Sequence, residues 1–99
     1  MTTFFVTRHP GAGEWARRRN ITARPVSHLD VAQVCAGDTV MGTLPVNLVA
    51  DINARGARYF HLVLDLPAKL RGRELGIDEM AAYNARLEEY TVIRRSDHV

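Results

Sequence analysis

Arg8 and His9 stand where an apolar segment, Phe4-Phe5-Val6, gives way through Thr7 to Pro10-Gly11-Ala12. A guanidinium beside an imidazole can hold a phosphate and move a proton next to it. A second junction of the same build, Thr39-Val40-Met41-Gly42 followed by Thr43-Leu44-Pro45, lies further along the chain. Proline suits the first position of a helix, whose leading N–H groups lack partners within the helix and point toward any nearby anion. Two such helix starts on one edge of a sheet predict a phosphate site, and Arg8 and His9 add groups able to do proton chemistry there.

Other residue types capable of chemistry read more plainly. Gly11-Ala12-Gly13-Glu14-Trp15-Ala16 matches a dinucleotide-binding fingerprint and has Asp30 downstream, but Pro10 and two further residues displace the first glycine from the strand end. The chain is also too short for the second half such a site needs. Arg8-His9 shares two residues with the Arg-His-Gly start of histidine phosphatases, again with a proline in the way and half the length. His9, His28, His61 and His98 lack the close pairing of a metal site. His61, between Phe60 and Leu62, reads as a hydrogen-bonded core histidine, Cys35 as a small packed residue, and Trp15 as core. Arg17-Arg18-Arg19 reads as a solvated helix end rather than a nucleic-acid surface.

The elements that must position these groups follow from periodicity. Strands are expected at 3–7, 23–29, 39–42, 59–64 and 90–93, and helices at 10–20, 45–55 and 79–89, the last with Met80, Tyr83 and Leu87 as its buried stripe. Asp30 to Ala36 reads as a helical turn, and Gly56 as a helix stop. Alternating strands and helices predict an α/β fold: a mostly parallel five-stranded sheet with helices on both faces. The loops after the first, third and fourth strands, at Thr7–Gly11, Gly42–Pro45 and Asp65–Pro67, should then converge at the carboxyl edge. Ala68 to Gly76, with Lys69, Arg71, Arg73 and Glu74, reads as a long functional loop.

Composition sets outer limits. Ninety-nine residues with 46% hydrophobic and 24% charged content predict one globular domain over 1–99, small enough that a site shared between two subunits is expected. A net charge of +2 does not call for long nucleic acid, no apolar run is long enough for a membrane span, and a single cysteine with no visible signal peptide predicts a cytoplasmic protein.

Several motifs in register carry a resemblance: Phe5-Val6-Thr7-Arg8-His9-Pro10-Gly11-Ala12 with Glu14-Trp15-Ala16, Gly42-Thr43-Leu44-Pro45, and Leu64-Asp65-Leu66-Pro67-Ala68 with Arg71-Gly72-Arg73-Glu74-Leu75. From Thr3 to about Val92 the chain resembles a family of short CRISPR-associated proteins encoded beside type III systems. That resemblance implies a Rossmann-like domain related to CARF sensors and a homodimeric ring nuclease. Its substrate would be cyclic oligoadenylate, chiefly cyclic tetra-adenylate, cut without metal or cofactor by attack of a ribose 2′-OH. It further implies charge stabilisation by Arg8, aided by the helix-start N–H groups, and proton transfer by His9. Arg71 and Arg73 would act as a lid, and Thr7, Gly11, Gly42, Thr43, Leu44 and Asp65 as ligand-binding positions. The competing expectations are a module that sequesters the ring uncut and a regulatory subunit with an unused pocket.

Overall fold

The computed structural model describes residues 1–96, so His98 and the end of the tail lie outside it. The strands are β1 (Thr3–Val6), β2 (Arg24–Val26), β3 (Thr39–Gly42), β4 (Arg58–Val63) and β5 (Arg86–Tyr90). The α-helices are α1 (Ala12–Arg18), α2 (Val46–Ala54) and α3 (Ile77–Ala82), and single 3-10 turns lie at Val31–Gln33, between β2 and β3, and at Ala68–Leu70, between β4 and α3. The sheet order is β2-β1-β3-β4-β5, with β1 to β4 mutually parallel and β5 antiparallel to β4. This is the small, mostly parallel α/β architecture expected, and it is consistent with a Rossmann-like fold.

Alternation along the strands splits the core in two. Phe4, Val6, Val40 and Tyr59 face α2, packing with Val49 and Ile52. Phe5 and Leu62 face α1 and α3, packing with Trp15, Leu75 and Met80, and Phe5 meets Trp15 edge-on with ring centroids 6.5 Å apart. Trp15 is therefore core, as its place on the helical stripe predicts. Cys35 is not: it is exposed, and its backbone N–H donates to the Asp38 carboxylate.

The chain departs from the sequence reading most at its carboxyl end. Its third helix spans only Ile77–Ala82, because Asn84 turns into the left-handed region at φ 57° and Arg86–Tyr90 then pairs with β4. Leu87 lies opposite Leu62 in that ladder rather than on a helix face, and Thr91–Ile93 lies beyond the strand. Residues 81–89 are rich in good helix formers, and the ladder with β4 overrides that local preference. No helix among the described residues is long and apolar enough to cross a membrane.

A buried carboxylate fastens the start of the sheet. Asp38 accepts the N–H of Thr2 at 2.8 Å and that of Cys35 at 2.9 Å, and these backbone donors hold its carboxyl below the ordinary value of 3.8. A depressed value in the folded state means stability that is present above 3.8 and lost as pH falls through the lower folded value. Asp38→Asn should accordingly lower the urea midpoint at pH 7. The difference from wild type should shrink as the pH is taken below 3.8; a pH-independent difference would assign the effect to shape instead of charge.

Candidate functional site

In the order β2-β1-β3 the chain moves outward from β1 and then returns to its other side, which opens a crevice beyond the carboxyl ends of β1 and β3. Arg8 and His9 leave β1 there, Thr43 leaves β3, and Leu66 follows β4. These four, with Arg71, Gly72, Arg73 and Glu74 from the long loop, line one cleft of about 290 Å³. The predicted convergence of three loops is thus observed.

Three exposed guanidiniums, Arg8, Arg71 and Arg73, line that cleft against one carboxylate, Glu74. Among the described residues none of the three is engaged in an ion pair, whereas Arg17, Arg18, Arg58, Arg86 and Arg94 are each matched to a carboxylate. Unmatched guanidiniums around a concave surface favour an anion able to accept bidentate hydrogen bonds.

His9 is held in a defined orientation. Its Nδ1 accepts the Leu75 N–H at 3.2 Å, and its own backbone N–H donates to the Thr7 hydroxyl at 3.1 Å. With Nδ1 occupied as an acceptor, a neutral His9 carries its proton on Nε2. Leu75 is fully buried among Phe5, Trp15 and Met80, so the long loop is anchored at this end while its arginines remain exposed.

The helix starts differ from their expected form. Pro10 precedes the α1 cap Gly11 and Pro45 is itself the α2 cap, so neither proline occupies the first helical position. The Gly11 N–H donates to the Leu75 carbonyl at 3.0 Å and the Ala12 N–H to that of His9 at 3.0 Å. The first donors of α1 are therefore already committed within the protein. Gly11 is buried, and a Cβ there would sit 2.3 Å from the Gly76 carbonyl carbon and the Ile77 nitrogen. Its glycine lets α3 approach, which accounts for the glycine of the fingerprint without a dinucleotide.

Other expected ligand positions are placed apart from the arginine cleft. The Asp65 carboxylate accepts from Asn84 at 3.1 Å and Arg86 at 3.2 Å, interactions that hold its carboxyl below the ordinary range, and it secures the turn into β5. Gly42, at φ 152°, brings β3 against Val6, whose carbonyl oxygen a Cβ would meet at 2.3 Å. Thr7 and Leu44 line a neighbouring cleft that also contains Arg8 and Thr43.

Tyr59 is a positioning residue that the sequence reading missed. Its hydroxyl donates to the Gly42 carbonyl at 2.9 Å and accepts the Leu44 N–H at 2.9 Å, fixing both sides of Thr43. With that proton given to Gly42, the remaining lone pair can take an N–H from His61 Nδ1, 2.7 Å away. Burial pushes the phenol up, so it stays protonated. The available signal was a tyrosine in a mostly apolar strand, since a buried hydroxyl requires partners.

The model of the family described as "Putative CRISPR-associated protein (Cas_VVA1548)" matches residues 4–93. The chain belongs to that family. No curated protein and no solved structure matches it. The matched span of this CRISPR-associated chain includes all of β1 through β5 except Thr3, and every residue lining the arginine cleft.

Proposed function

We propose that this CRISPR-associated protein is a ring nuclease that opens cyclic oligoadenylate, chiefly cyclic tetra-adenylate, and so switches off the ancillary effectors of a type III system. The observation that carries the reading is the gathering of Arg8, Arg71 and Arg73, free of ion pairs among the described residues, around a histidine held through its Nδ1. The choice of cyclic oligoadenylate rests on the motif resemblance, and family membership supports the CRISPR setting.

The chemistry asked of the cleft is modest in its parts. A ribose 2′-oxygen attacks the adjacent phosphorus in line, its proton passing to solvent, and the bond to the 5′-oxygen breaks. The products are a 2′,3′-cyclic phosphate and a 5′-hydroxyl. Arg8, with Arg71 and Arg73, stabilises the charge on the phosphorane, and the Nε2–H of the neutral His9 donates a hydrogen bond to the departing 5′-oxygen, which takes its proton from solvent. No step requires a metal.

A cleft of about 290 Å³ is at the small end of the roughly 300–1,000 Å³ typical of small-molecule sites, whereas a ring of four nucleotides is far larger. Two copies related by a two-fold axis would offer the same cleft to each half of the symmetric ring. Incubating the protein with radiolabelled cyclic tetra-adenylate in EDTA tests the reading, with linear product expected over many turnovers. A ring bound but recovered intact would identify a sequestering protein, and a ring that does not bind would leave the pocket without this ligand.

A further inference from the structure

Because β2 runs parallel to β1, its carboxyl end reaches the same edge of the sheet as Arg8. The turn that follows, Ser27-His28-Leu29, has no part in the arginine cleft. Together with Leu44, Pro45 and Leu48 across the crevice it encloses a second cleft of about 400 Å³. Arg8 and Thr43 line both clefts and form the boundary between them.

The two differ in chemistry. Arg8 is the one guanidinium of the second cleft, at the side it shares with the first. Its walls include the half-buried Leu29, Leu44 and Leu48, and its rim carries the exposed Ser27 and His28. Neither of those two side chains is hydrogen-bonded to another described residue, so a hydroxyl and both ring nitrogens are open to a ligand edge. A second phosphate would find one cation there, already shared. A flat heterocycle would find apolar walls for its faces and polar groups for its edge, which is how unpaired nucleobases are commonly held.

We infer that the cleft between the β2 turn and the start of α2 is a nucleobase subsite, taking the base of a nucleotide whose phosphate lies among Arg8, Arg71 and Arg73. The inference rests on the phosphate reading of the arginine cleft and adds to it a separate recognition element. Thr43, on the boundary, faces the ribose that links the two, and Tyr59 holds the backbone on either side of it.

Titrating ¹⁵N-labelled protein with adenosine 5′-monophosphate and with ribose 5-phosphate tests it. Both ligands should shift the amides of Arg8, Thr43, Arg71 and Arg73, and adenosine monophosphate alone should shift those of Ser27 to Leu29. Wild type should bind adenosine monophosphate about tenfold more tightly, roughly 1.4 kcal/mol. Ser27→Trp, at an exposed position, should fill the cleft and bring that affinity down to the level of ribose 5-phosphate, whose own binding stays unchanged. Equal affinities in wild type, or an unaltered preference in Ser27→Trp, would overturn the subsite. If ribose 5-phosphate shifts none of the arginine-cleft amides, the phosphate reading is what fails. The subsite is then judged by adenosine: movement of the Ser27 to Leu29 amides supports it and their silence overturns it.

Discussion

Replacing His9 by alanine should lower the rate of ring opening by about 10²–10³-fold, the usual range for loss of one hydrogen-bond donor to a developing oxyanion, while leaving ring affinity within a few-fold of wild type. The expectation follows from the Leu75 N–H on Nδ1, which leaves Nε2–H as the only ring proton of the neutral imidazole and turns it away from the loop anchor. Alanine also removes the acceptor for that N–H, so a second variant is needed to separate the hydrogen bond to the leaving oxygen from loop anchoring. His9→Asn supplies this, because a side-chain amide oxygen can stand where Nδ1 stood but places no donor where the Nε2–H stood. Single-turnover cleavage and equilibrium binding, measured on both variants, decide the matter. If His9→Asn restores the wild-type rate, His9 serves only to hold the loop.

Gly11→Ala should destabilise the protein strongly. The new Cβ would lie 2.3 Å from two backbone atoms at the start of α3 and 2.9 Å from the Gly76 Cα, and backbone cannot step aside as a flexible side chain can. A loss of at least about 2 kcal/mol is expected, within the range for overpacking a close contact. The effect should extend to activity. Moving Gly76 and Ile77 away from α1 stretches both Gly11 N–H to Leu75 carbonyl and Leu75 N–H to His9 Nδ1. Gly13 provides the control: it lies two residues on, exposed, with nothing within 4 Å of an added Cβ. Gly13→Ala should be neutral or stabilising by up to about 1 kcal/mol, from helix propensity alone. Urea midpoints of the two variants would reject the close-packing account if they fell together.

The motif Gly11-x-Gly13 shows how one pattern can carry two unrelated meanings. Sequence offers it as a phosphate loop, yet the first glycine is required by a helix more than sixty residues away in the chain and the second by nothing in contact with it. A similar division runs through the candidate ligand residues. Arg8, His9 and Thr43 were legible because parallel strands alternating with helices must send their carboxyl ends to one edge, whatever their order. Asp65 leaves the same edge but is taken up by Asn84, in the turn before β5, and Arg86, the first residue of β5, a strand that the helix-forming composition of residues 81–89 concealed.

Hydrophobic period and turn chemistry, both local properties, therefore determined the α/β class, the approximate places of β1, β3, α2 and β4, and the edge on which Arg8, His9 and Thr43 meet. Tertiary structure alone decided which of the polar groups at that edge remain free. The His9–Leu75 bond spans 66 positions and the Tyr59–Gly42 bond spans 17, and neither leaves a trace in the residues next to its own ends. A donor or acceptor is available to a ligand only if no distant segment has already satisfied it, and that depends on how the whole chain closes.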